Sequence, residues 1–130
     1  MIEIIKHSRQ VSNGLEVYYV CALWSLEIKP GRFARSYRER CVYSLNGIEI
    51  ATAERDNHSK ISEVKFCEGR IASCTHDCEK TLWAESLEKA RRRPDAPWRL
   101  SRWEGDMMKS LGTFAERTSM TSWVKRHLAK

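Results

Sequence analysis

FARSYRERCVYSL (residues 33–45), then NG (Asn46 and Gly47), then IEIAT (residues 48–52), is the stretch whose reading decides the fold. Phe33, Tyr37, Cys41, Tyr43 and Leu45 fall on one side of the first segment, and Ser36, Arg38 and Arg40 on the other. That is the period-two alternation of a half-buried strand. The same alternation resumes after Asn46-Gly47. Asparagine and glycine accept the positive φ that a two-residue hairpin turn requires, so two such patterns about an Asn-Gly pair predict an antiparallel hairpin.

Working outward, Lys29-Pro30-Gly31 breaks the chain before this hairpin. Residues 15–28 run through Val17, Tyr18, Tyr19 and Val20, the β-branched and aromatic types that pack well on a pleated surface. Asn13-Gly14 marks another turn, preceded by a short strand at residues 2–5. On the other side, residues 56–59 read as a loop and 60–67 as a strand, with Glu68-Gly69 turning the chain back into 70–73. The expected sum is an antiparallel meander of about four or five strands.

The period then changes. Thr75 or Asp77 is positioned to cap a helix bearing Leu82, Trp83, Leu87 and Ala90, with Arg91, Arg92 and Arg93 in its last turn and Pro94 as its stop. Ser101 with Glu104 makes a capping box ahead of Trp103, Met107 and Leu111, closed by Gly112. Thr113 with Glu116 makes a second box ahead of Met120, Trp123, Val124 and His127 or Leu128. The expectation is therefore an α+β protein in which two or three carboxy-terminal helices pack an amino-terminal sheet. It forms one domain over residues 1–130, strand-rich over 1–73 and helical over 75–129, with residues 94–97 as the only hinge.

The 130 residues are 42% hydrophobic, the range of a chain that buries a core, and no apolar run reaches the roughly 18–20 residues that span a bilayer. Glu3, Lys6, His7 and Arg9 interrupt any secretory h-region, so a cytoplasmic protein without membrane contact is expected. Five cysteines, an odd number with no secretion signal, are expected to be reduced, with Cys21 and Cys41 in the core.

A net charge of +6 and a pI near 9.2 favour a polyanionic partner. Between residues 89 and 103 the charge is concentrated: Lys89, Arg91, Arg92, Arg93, Arg99 and Arg102 accompany Trp98 and Trp103. Guanidinium groups hold phosphate in bidentate fashion and indoles stack on bases, while the same pair of residue types carries much of the energy of protein interfaces. Arg38 and Arg40, with Arg32 and Arg35 nearby, form a further basic row on one strand. Because Tyr37 and Tyr43 alternate to its other side, a solvated sheet face is the preferred reading of that row.

Cys67, Cys74, His76 and Cys78 supply the donor set of a Cys₃His zinc site. Only Cys74-x₃-Cys78 has knuckle spacing, so reduced thiols at a strand-to-helix junction are preferred to structural zinc, and no other cofactor is indicated. Asp56, Glu63 and Lys65 are the residue types of a metal-dependent nuclease, and Arg70 and His76 those of a ribonuclease toxin, by type alone. The sequence contains no Gly-x-Ser-x-Gly, His-Glu-x-x-His or phosphate-cradling loop.

The functional expectation is a small non-catalytic basic protein that docks on nucleic acid or a nucleic-acid-handling complex through residues 89–103. The alternatives are an inhibitor or adaptor of the kind mobile elements use to block a host enzyme complex, and a small metal-dependent nuclease or RNase toxin. Oligomeric state is open.

Overall fold

The structure, a computed structural model, describes residues 2–129. Its elements run β1 (Ile2–Ser12), β2 (Leu15–Lys29), β3 (Arg32–Leu45), β4 (Ile48–Arg55), α1 (His58–Ser73), α2 (Asp77–Arg92), β5 (Trp98–Glu104), β6 (Met107–Phe114) and α3 (Arg117–His127). The fold is α+β. The strands form one six-stranded antiparallel sheet in sequence order, β1-β2-β3-β4-β5-β6. Two units are distinguished: residues 2–56 with 96–129, holding the sheet and α3, and residues 57–95, holding α1 and α2. No helix among the described residues is long and apolar enough to cross a membrane.

The central hairpin forms as its sequence dictates. Asn46 and Gly47 both have positive φ, at 52° and 85°, and Leu45 pairs with Ile48 across them. Asn13 and Gly14 repeat the device between β1 and β2, at 53° and 80°. The two turns lie at the same end of the sheet, where the amide of Asn46 donates to the carbonyl of Gly14 at 2.9 Å. Between β2 and β3, Pro30 and Gly31 make the turn at the opposite end.

One sheet face is covered by α3. Tyr19 and Cys21 of β2, Cys41 and Tyr43 of β3, Ala51 and Ala53 of β4, and Trp98 and Leu100 of β5 are all buried, together with Met120 and Val124 of the helix. The phenol of Tyr43 shares a 2.9 Å hydrogen bond with the Thr121 hydroxyl, Arg117 lies over the Tyr19 ring, and Phe114 meets Trp123. A nearly buried ion pair joins Arg55 to Glu39, and Arg55 also caps the Trp98 ring at 4.6 Å.

The helical unit is a hairpin. Phe66 of α1 meets Trp83 of α2 edge to face, with ring centroids 5.5 Å apart, and Arg70 lies over both rings. Cys67, Leu87 and Ala90 are buried. Ion pairs from Arg91 to Glu68 and from Arg93 to Glu63 bridge its two halves. At its base Asp95 accepts from Asn57 at 3.0 Å and from Lys60 at 2.9 Å.

Three segments depart from expectation. The first strand runs over Ile2–Ser12 instead of stopping at residue 5. Residues 58–73 are one helix, not a loop and two strands: Ile61, Val64, Cys67 and Ile71 lie near helical spacing, and Gly69 is carried inside the helix instead of turning the chain. Residues 98–114 are a β-hairpin, not the start of the carboxy-terminal helices. Gly105, at φ 62°, opens its turn with Asp106, and the spacing of Trp103, Met107 and Leu111 that reads as a helix face spans two paired strands. The sheet accordingly has six strands instead of four or five, and α1 and α2 are inserted between β4 and β5 instead of following the strands.

Candidate functional site

Register decides which side chains share the sheet face opposite α3. Trp24 pairs with Ser36 and Ile2, Ala22 with Arg38 and Ile4, Val20 with Arg40 and His7, and Tyr18 with Val42 and Arg9. In an antiparallel ladder, directly opposed residues point to the same face. Glu54 of β4 lies opposite both Arg40 and Arg99 in the ladder, which extends this face to β5. Aromatic rings on β2 are therefore flanked by arginines on β1 and β3, with a further arginine on β5.

These groups surround an open hollow of about 620 Å³, lined among others by Ile2, Ile4, Tyr18, Trp24, Arg38, Arg40 and Arg99. Trp24 is 43% exposed, with the Arg38 guanidinium 5.4 Å from its ring centroid. The Arg9 guanidinium lies 4.9 Å from the Tyr18 ring, and His7 approaches the same ring at 6.2 Å. Arg9 also pairs with Glu16 at 2.9 Å, while Arg40 donates to the Thr52 hydroxyl at 3.2 Å and stands 3.8 Å from Glu54. Arg38 and Arg99 are exposed and have no carboxylate partner among the described residues. Ring faces with exposed cations beside them offer stacking and phosphate contact on one surface.

The stretch from Lys89 to Trp103 divides between the two units. Lys89, Arg91 and Arg92 end α2, and Arg93 follows as its cap, all in the helical unit. Three of these are engaged: Arg91 with Glu68 and Glu88, Arg92 with Glu88, and Arg93 with Glu63. Trp98, Arg99, Arg102 and Trp103 belong to β5. Trp98 is only 1% exposed and faces the α3 side, and its buried Nε1 has no hydrogen-bond partner among the described residues. Arg102 is held by Glu104, whose carboxyl that hydrogen bond draws below its usual range. Arg99 and the exposed Trp103 alternate to the face of the hollow.

The four thiol and imidazole residues are strung across one unit. Cys67 is buried within α1, Cys74 caps its end, His76 caps the start of α2, and Cys78 stands exposed in the first turn. No three His, Cys, Asp or Glu side chains gather as a metal-binding group among the described residues. The Cys74 thiol is pushed up chiefly by desolvation, with Glu79 adding to it, which disfavours the thiolate that metals and electrophiles require. Asp56 follows β4 in the sheet unit, whereas Glu63 and Lys65 lie on α1, two positions apart and thus on different sides of the helix. Glu63 is taken by Arg93.

Sequence reasoning found the Arg38–Arg40 row and set it aside because Tyr37 and Tyr43 point away. The rings that complete it come from the neighbouring strand. A signal was present: Tyr18 and Trp24 are both even-numbered positions of one unbroken strand, and so share a face. Comparison with protein-family models, curated proteins and solved structures gave no match.

Proposed function

We propose that this chain is a non-catalytic binding protein whose sheet face opposite α3 docks on nucleic acid. The observation that carries the reading is the pair of exposed arginines without carboxylate partners among the described residues, Arg38 and Arg99, on the face that also displays Trp24 and Tyr18. Arginines already paired to carboxylates have little left to offer a phosphate. Those that stand free beside ring faces gain most when an anion arrives, because binding releases the counterions condensed on the polyanion. The overall charge of +6 draws the same class of partner from a distance.

The test is fluorescence anisotropy of labelled oligonucleotides over a salt series. With Arg38 and Arg99 meeting phosphates, the logarithm of affinity falls against the logarithm of salt with a slope of about −1.4, at ~0.7 per contact. Arg38→Glu with Arg99→Glu reduces both the affinity at low salt and the slope. Absence of binding at low salt, with the protein folded by circular dichroism, overturns the proposal.

A second reading, the inhibitor or adaptor, draws on the end of the β2–β3 hairpin. Leu26 and Ile28, alternate positions of β2, are 69% and 61% exposed there, beyond the strand pairs that β1 and β4 make. Clustered exposed apolar side chains mark protein docking surfaces. A stoichiometric protein complex that Leu26→Ser with Ile28→Ser abolishes, formed by a chain indifferent to oligonucleotides, would replace the first reading with this one.

A further inference from the structure

We infer that the nucleic acid taken by this face is single-stranded, an inference that rests on the binding function proposed above. The first ground is size. Six strands at a spacing of ~4.8 Å make a sheet about 24 Å across, whereas the major groove of a duplex is about 12 Å wide. A helix or a two-stranded ribbon enters such a groove, but a broad sheet face does not. Its central residues then meet only the outside of a duplex, where phosphates are available and base faces are not.

The second ground is where the rings sit. Tyr18 and Trp24 occupy the second strand of the sheet, flanked by Arg9 on one side and by Arg38 and Arg40 on the other. Along β2 the two rings stand about 20 Å apart at ~3.3 Å per residue. A strand lying along β2 can place bases on both rings with its phosphates beside the flanking guanidinium groups. Stacked, paired bases leave nothing for either ring to hold. The Arg38 guanidinium against Trp24 and that of Arg9 against Tyr18 already set cation and ring side by side. A base added over Trp24 extends that arrangement while its phosphate meets Arg38, and a second base finds the Tyr18 ring face further along the strand. Ring faces and guanidinium groups address the base plane and the phosphate, parts that every unpaired strand carries.

The test uses the full chain with two labelled probes, a 15-nucleotide oligodeoxythymidine and a 15-base-pair duplex, in anisotropy titrations at low salt. The single strand is expected to bind at least tenfold more tightly. Trp24→Ala and Tyr18→Ala each weaken binding of the single strand roughly tenfold and leave the duplex unchanged, whereas Trp24→Phe, which keeps a ring, stays within about threefold of the parent. Circular dichroism of each variant separates loss of a contact from loss of the fold. Equal affinity for both probes, or equal loss on both in the alanine variants, overturns the single-strand inference and leaves the wider proposal standing. Binding to neither probe overturns both.

Discussion

At the scale of single residues, the turn glycines are not equivalent. A Cβ at Gly14 would stand 2.5 Å from Oδ1 of Asn46, whereas one at Gly47 would meet nothing within 4 Å, although both have positive φ. Gly47→Ala should cost only the conformational penalty of about 1 kcal/mol. Gly14→Ala adds the cost of turning the Asn46 side-chain amide aside, about 0.5–1 kcal/mol more. Urea midpoints of the two variants compare them directly, and equal losses would deny the contact between the turns. Residue-scale reading of the sequence was good where chemistry is local: both Asn-Gly turns, the core roles of Cys21 and Cys41, and the outward row of Arg38 and Arg40 were all legible. It failed at Trp98, whose basic neighbours suggested a surface ring. Its burial depends on Tyr19 and Arg55, residues remote in sequence that the sheet brings to its sides.

At the scale of elements, α3 shows how a short helix is held to a sheet. Its eleven residues are too few for stability alone, so it depends on Met120 and Val124, both fully buried, and on the bond from Thr121 to Tyr43. Met120→Ala should destabilise by about 2–5 kcal/mol. Thr121→Val leaves the buried Tyr43 hydroxyl only the weak Cys41 thiol as a partner and should cost about 1–2 kcal/mol, whereas the double variant with Tyr43→Phe should recover part of that loss. Chemical denaturation of the three variants measures both effects. The elements misread from sequence are instructive for the same reason. Short apolar patterns at residues 60–67 and 101–112 fit either period, and a partner decides between them: Trp83 packs Phe66 of α1, while the exposed edge of β4 recruits β5. The helices α2 and α3 needed no such arbitration: their apolar stripes place them, although their N-cap positions are His76 and Glu116 and not the expected Thr75 or Asp77 and Thr113, and neither N-cap makes a side-chain hydrogen bond.

At the scale of the whole molecule, burial couples stability to alkaline pH. Burial pushes the Cys41 thiol and the phenols of Tyr19 and Tyr43 above their ordinary values. Between the ordinary and the raised value, the folded chain keeps a proton that the unfolded chain has released, so stability falls as pH rises. Stability should hold from pH 7 to 8, begin to decline near the ordinary thiol value of about 8.5, and fall more steeply past the phenol value of about 10. Urea midpoints taken across that range test it. In Tyr43→Phe the steeper part should be reduced, while an unchanged profile would place the cause elsewhere.

The seam between β4 and β5 gives the sheet a property of a different kind. Glu54 faces Arg99 across it, so the chain leaves the sheet and re-enters it at neighbouring positions, roughly 5 Å apart for opposed residues of an antiparallel pair. Whatever lies between is a closed loop on an intact meander, and the entropy of closing such a loop rises by only about 0.6 kcal/mol for each doubling of its length. The insert can therefore be lengthened or shortened at little entropic cost while the pleated platform and its arginines stay as they are.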